Sequence, residues 1–232
     1  MSENIKKIMK AFMADLDSRE NQSIILKPST RPFNNQAHQV NEVAKKIYKL
    51  IEGTKHPNDD IILNHNEIKE AFFSPFEPQL KDAQVFLSHS HADKNKALKV
   101  KNYLESETNH RVFIDSLFWD YKDNVLNKLA KYDNTSKIKD AFVLILRESL
   151  QDMIEKCPYF VFLQSSNSVS NQGLSCTTYS AWVYEELKIA HSIRESRPTP
   201  MMESWQAFHD ISPFLENLET IILKELSQQI NS

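Results

Sequence analysis

With 232 residues, 41% of them hydrophobic and 25% charged, the chain is long enough to bury a substantial core, as one large domain or a domain with a helical appendage. Its 28 Lys and Arg stand against 31 Asp and Glu, a formal net charge of −3, and no basic stripe is interleaved with aromatics, so dedicated nucleic-acid binding is not expected. Only two glycines are present, Gly53 and Gly173, which excludes a Walker loop and a Gly-rich dinucleotide-binding turn, because both need backbone that approaches phosphate closely.

Ile5, Ile8, Met9, Phe12 and Leu16 fall at helical spacing, but Lys and Asp interrupt the stretch too often for a secretory or membrane segment. Val40, Val43, Ala44, Ile47, Tyr48 and Ile51 repeat more cleanly before Gly53 closes the pattern, and a weaker helix ends near Phe73. Ser74-Pro75-Phe76-Glu77-Pro78 then punctuates the chain. These features predict a helical N-terminal region over residues 1–80 and a second domain over 81–232.

Beyond that boundary, short apolar runs alternate with amphipathic segments, which is how buried parallel strands and their crossover helices read in sequence. Val85-Phe86-Leu87, Val112-Phe113-Ile114 and Tyr159-Phe160-Val161-Phe162-Leu163 are the predicted strands. Helices are predicted from Ala92 to Ser106, with Ser90 and Asp93 as a capping box, from Asp140 to Lys156, from Thr178 to Glu195, and from Ile211 to Ile230. The whole is read as a flavodoxin-like three-layer α/β domain with a central parallel sheet.

Each predicted strand runs into polar residues at its carboxyl end, the edge of a parallel sheet where ligands bind. They are Ser88-His89-Ser90, Asp115-Ser116 and Gln164-Ser165-Ser166, which taken singly are also what any solvated loop requires. On the helix after Thr178, Tyr179, Trp182, Val183, Glu186, Leu187 and Ala190 form one core-facing stripe, with Glu186 its only ionisable member. A carboxylate there either reaches an opening or finds a partner, a surface Lys at the stripe's margin being the plainest one. Glu185 points about 100 degrees away and needs no such explanation. The segment Asp115 to Asp123 is read as a loop, with Leu117 and Phe118 folded onto the core and Trp119 and Tyr121 available for contact. Cys157 and Cys176 are too few for a Cys-rich zinc site and suit a reducing compartment as thiols; no metal is expected, His89 and His91 included. The protein is expected to be cytoplasmic. Cys176 and His191 lie about three helical turns apart, too far for a nucleophile–base pair.

Three segments, in order, resemble a bacterial Toll/interleukin-1 receptor (TIR) domain. They are Val85-Phe86-Leu87-Ser88-His89-Ser90-His91-Ala92-Asp93-Lys94, Val112-Phe113-Ile114-Asp115, and Ser180-Ala181-Trp182-Val183-Tyr184-Glu185-Glu186-Leu187, the last similar to the family's S-x-W-x-x-x-E-L segment. The resemblance covers roughly residues 82–195. The chain departs from receptor adaptors after Asp115, where it has Trp119-Asp120-Tyr121, and Met201-Met202-Glu203-Ser204-Trp205 only loosely matches the last family motif. The bacterial branch is therefore favoured, whose members include producers of nucleotide signals in anti-phage defence, Thoeris-type systems among them.

The resemblance implies cleavage of the nicotinamide–ribose bond of NAD, with Glu186 catalytic and with Ser88, His89, Asp115, Trp119 and Trp182 binding the substrate. NAD is then substrate, and no resident cofactor is implied. The helix start near Ala92, with Lys94, is expected to face a pyrophosphate. Expected partners are further copies of the chain on activation and an effector that senses the nucleotide product, without nucleic acid or membrane. The rival expectation is a non-catalytic TIR scaffold acting through TIR–TIR contacts, with Trp119 and Tyr121 as anchors.

Overall fold

A computed structural model describes residues 9–27, 40–53, 65–74, 82–130, 136–172, 175–195 and 209–232. Its centre is a five-stranded parallel sheet built from β1 (Lys10–Asp15), β2 (Ala83–His89), β3 (Arg111–Ile114), β4 (Tyr159–Gln164) and the two-residue β8 (Glu219–Thr220), in the order β3-β2-β4-β1-β8. The continuous apolar runs of β2 and β4 are buried from end to end or nearly so, as strands covered on both faces must be. Phe86 links three strands by lying parallel to Phe160, ring centroids 5.9 Å apart, and 5.8 Å from Phe113.

Helices flank this sheet, and the chain is α/β with a flavodoxin-like three-layer arrangement. After β2, a single 3₁₀ turn (His91–Asp93) leads into α4 (Lys94–Thr108), which packs on β2 and β3 and receives α1 (Arg19–Ile25) and α9 (Leu223–Asn231). Asn109 ends α4 in the left-handed conformation at φ 54°, a position where Asn is among the few side chains tolerated in place of Gly. The helix α7 (Ala181–Glu195) packs on β2. A second, antiparallel sheet joins β5 (Ser170–Gln172), β6 (Ser175–Thr178) and β7 (His209–Asp210), and the short α8 (Ser212–Leu215) follows.

The strand β1 corrects the helix expected over Ile5 to Leu16, as far as that stretch is described. Lys10–Asp15 pairs in register with the whole of β4, Lys10 beside Tyr159 and Asp15 beside Gln164. Phe12 is fully buried, with its ring 6.5 Å from Tyr159. Ala and Met favour helix intrinsically, and a place inside a sheet overrides that preference. Asn21, also buried, fastens the same segment to the C-terminal helix: it donates to the Asp15 carbonyl at 2.7 Å and accepts from the Leu223 amide at 2.9 Å.

The compact units follow a different division from one at residue 80. One contains β1, α1, β2 to β8, α4, α7 to α9, and Asp115. The other is helical and contains α2 (Val40–Gly53), α3 (His65–Phe73), α5 (Asp115–Leu129) from residue 116 onward and α6 (Ser136–Lys156) as far as residue 152. In the helical unit Phe72 packs edge-on against Tyr121 at 5.1 Å and Phe142 at 5.5 Å, while His65 Nε2 meets Glu148 at 2.7 Å and Lys69 meets Asp152 at 2.6 Å.

Three further expectations change. The segment Asp115 to Asp123 is the start of α5 and not a loop, and Tyr121 is fully buried core whose hydroxyl is pushed above its ordinary range by burial. The helix expected from Ile211 to Ile230 is broken into α8, β8 and α9. Ser90 makes no side-chain cap; only the Asp93 amide returns to the Ser90 carbonyl, at 2.8 Å. The helices expected over 140–156 and up to Glu195 are present as α6 and α7. Among the described residues no helix is long and apolar enough to cross a membrane.

If β1 is part of the core, Phe12→Ala removes a fully buried ring from the sheet's centre and lowers unfolding free energy by about 3–5 kcal/mol in urea titrations. A loss below about 1 kcal/mol would show that β1 contributes little.

Candidate functional site

The carboxyl edge of the sheet gathers the polar residues. β2 ends in Ser88 and His89, and the register that sets Leu87 beside Ile114 brings Asp115, the residue after β3, next to that end. α7 packs on the same strand and supplies Glu186. The apolar residues Val183, Leu187 and Ala190 hold that face of α7 in the core, as the helical spacing requires, and Glu186 on the same stripe has no exposed surface at all. Four of the residues singled out in the sequence, Ser88, His89, Asp115 and Glu186, thus form one buried cluster.

Its geometry is that of two carboxyl groups and one imidazole. His89 Nδ1 lies 2.7 Å from Asp115 Oδ1, with both side chains almost wholly buried. Glu186 faces the Asp115 carboxyl and the Ser88 hydroxyl, and neither of its oxygens makes a well-aligned hydrogen bond. Burial and then the adjacent Asp115 charge push Glu186 well above the ordinary carboxylate value, with the Ser88 hydroxyl acting in the opposite direction. For His89 burial disfavours the imidazolium, but Asp115, with help from Asp93, outweighs it and raises the pKa. Two carboxyls and an imidazole are thus held together almost wholly out of water.

A second polar seam runs beside it and was not read from the sequence. Asp93, buried in the turn after β2, accepts from the Ser165 hydroxyl and, at 2.9 Å, from Asn167 Nδ2, both residues lying just beyond β4. Lys96 Nζ stands 2.9 Å from Asp17 and 3.7 Å from Asp93, and Asp17 accepts from the Ser166 amide at 3.0 Å. The ends of β1, β2 and β4 are tied together in this way. Asp93 at the helix start makes no side-chain cap to α4; its carboxyl turns to Ser165 and Asn167 instead.

The remaining expectations divide. Trp182, one turn before Glu186 on α7, is half-buried. Trp119 lies in α5 and not in a loop, and its side chain is outside the described residues. Tyr179 precedes α7 and is 69% exposed, so it does not belong to the apolar stripe. Glu185 is also buried, 3.6 Å from Lys188 Nζ, and does not point into solvent. Burial pushes the Cys157 thiol up to about 12, and its sulfur donates weakly to the Ala83 carbonyl at 3.8 Å. Among the described residues no group of three or more His, Cys, Asp and Glu side chains could hold a metal ion.

Comparison with known protein families, with curated proteins and with solved structures finds no match to this chain. The chemistry of the site therefore rests on its own geometry.

Both shifted groups make stability fall as pH rises. Glu186, neutral in the fold, opposes folding increasingly above its ordinary value of 4.5. His89, with its pKa raised in the fold, stabilises fully below its ordinary 6.5 and loses that contribution as pH climbs through the raised value. Replacing Glu186 with neutral Gln removes the first cost. Between about pH 5 and about pH 8 the unfolding free energy of Glu186→Gln should fall less steeply than that of the wild type, with a Tm several degrees higher at the alkaline end. Parallel curves would show that Glu186 ionises in the fold as it does in water.

Proposed function

We propose that the chain is a TIR-type enzyme that cleaves the nicotinamide–ribose bond of NAD and so makes a nucleotide signal in bacterial anti-phage immunity. The observation that carries this reading is Glu186, a fully buried carboxyl at the carboxyl edge of a parallel sheet, beside a second carboxyl and a serine hydroxyl. Such a group is costly to fold around, and a protein retains such a cost where chemistry needs it.

Nicotinamide departs from a pyridinium as a neutral molecule, so no acid has to protonate it. What the reaction needs is an anion close to the ribose carbon as positive charge develops there, and Glu186 in its ionised form meets that need. Ser88 and Asp115 face the Glu186 carboxyl, and His89 Nδ1 lies 2.7 Å from Asp115. Glu186 has no exposed surface at rest, so turnover requires a movement that uncovers it. A requirement for assembly between copies of the chain supplies such a movement. What attacks the ribose fixes the product: water gives ADP-ribose, an adenine nitrogen gives a cyclic isomer, and another nucleophile gives a conjugate. The scaffold alternative loses one of its two anchors, since Tyr121 is buried in the helical unit.

Incubating the protein with NAD over a wide range of protein concentrations, with products identified by mass spectrometry, tests the reading. Free nicotinamide should appear. Glu186→Gln should cut its formation at least about a hundredfold while the fold is retained, and Glu185→Gln should stay within about tenfold of the wild type. Full activity of Glu186→Gln, or equal losses from both substitutions, would refute it.

A further inference from the structure

The two edges of the central sheet end differently. At β3 the edge is closed: the Val112 amide donates to the Glu105 carboxyl of α4 at 3.1 Å, and Val112, Phe113 and Ile114 are buried. At the other edge β8 lies beside Phe12 and Met13 of β1, and the Ile221 amide donates to the Met13 carbonyl at 3.0 Å. Backbone groups alternate sides along a strand, so Thr220, the residue before Ile221, turns its N–H and C=O away from β1. Thr220 is exposed, and among the described residues no strand pairs with it on that side. Between this edge and α9 runs an open groove of ≈ 370 Å³, lined chiefly by Glu219, Thr220, Glu225, Gln228 and Gln229. Its two charged lining residues are both acidic, and neither forms an ion pair among the described residues.

A short edge strand that carries charge discourages pairing between identical copies. Two copies joined through β8 would set their Glu219 and Glu225 side chains against one another, and like charges across paired strands are destabilising. The same charges attract a strand that carries cations. We propose that the outer edge of β8 and the groove beside α9 form a docking site for an extended, lysine- or arginine-bearing segment of a partner protein, which joins the sheet as a sixth strand. Its backbone pairs with the Thr220 N–H and C=O, and its basic side chains on the groove side lie against Glu219 and Glu225. Thr220 supplies only two hydrogen bonds, so charge carries much of the selectivity and the affinity falls as salt rises. β8 lies three strands away from β2, on which α7 packs with Glu186, so the proposal does not depend on the NAD reading.

Fluorescence anisotropy with a labelled peptide of alternating lysine and valine tests this on the full chain. Glu219→Lys with Glu225→Lys should weaken binding at least about tenfold, whereas Glu42→Lys with Glu52→Lys, the same change of charge on exposed residues of α2, should leave it within about twofold. Thr220→Pro removes the outward N–H without touching the bonds to β1 and should weaken binding about threefold or more. The same peptide methylated at every backbone nitrogen should not bind. With the unmethylated peptide bound, the Thr220 amide should exchange more slowly with solvent in NMR spectra. Equal losses from the two charge-reversed pairs, unchanged exchange at Thr220, or no binding at millimolar peptide overturns the proposal. A dimer in solution that Thr220→Pro dissociates also overturns it, because a second copy then occupies the edge.

Discussion

The parallel pairing of β4 with β1 on one edge and β2 on the other is the constraint from which the rest of this fold follows. Hydrogen bonds on both edges fix where each strand stops, so Asp15, His89 and Gln164 come to the same end of the sheet. The loops that leave that end carry Asp17, Asp93 and Ser165 to Asn167, whose mutual hydrogen bonds close the polar seam. Had β1 stayed a helix outside the sheet, β4 would be an edge strand and Asp17 would have no Ser166 amide to meet. The edge where ligands bind in such sheets is here assembled from four separate stretches of chain.

At that edge the structure sets a carboxyl group against its own solvation. α7 is held in the core by Val183, Leu187 and Ala190, and the same helical spacing that buries them buries Glu186. The Asp115 carboxyl beside it adds to the cost, and His89 Nδ1 lies 2.7 Å from that carboxyl. Both effects push Glu186 toward its protonated form.

The parts of the molecule legible in the sequence were those in which local pattern and tertiary role agree. β2, β3 and β4 are unbroken apolar runs, and α7 shows its stripe openly, so the α/β class could be read directly, whereas grouping Ser88, Asp115 and Glu186 at one site came from the family resemblance and not from the pattern. β1 could not, because Lys-Ala-Phe-Met-Ala-Asp has helix-favouring residues and a chance helical spacing with its neighbours, and only its pairing with β4, far along the chain, makes it a strand. The same limit hid β8, two residues that become a strand by lying beside Met13 and Phe12. Asp93 read as a helix cap because its true partners, Ser165 and Asn167, are more than seventy residues away. Tyr121 read as a loop aromatic because the Phe72 that covers it lies on a distant helix.

The account stands on burial and the neighbouring Asp115 carboxyl holding Glu186 well above the ordinary carboxylate range. Carbon-13 NMR titration of the glutamate side-chain carboxyls, with the Glu186 signal assigned by its absence in Glu186→Gln, observes this without any ligand or turnover. The Glu186 signal should titrate well above 4.5, the ordinary glutamate value, and move back toward it in Asp115→Asn. A Glu186 signal that titrates together with those of the surface glutamates, unchanged by the loss of the Asp115 charge, would contradict the account.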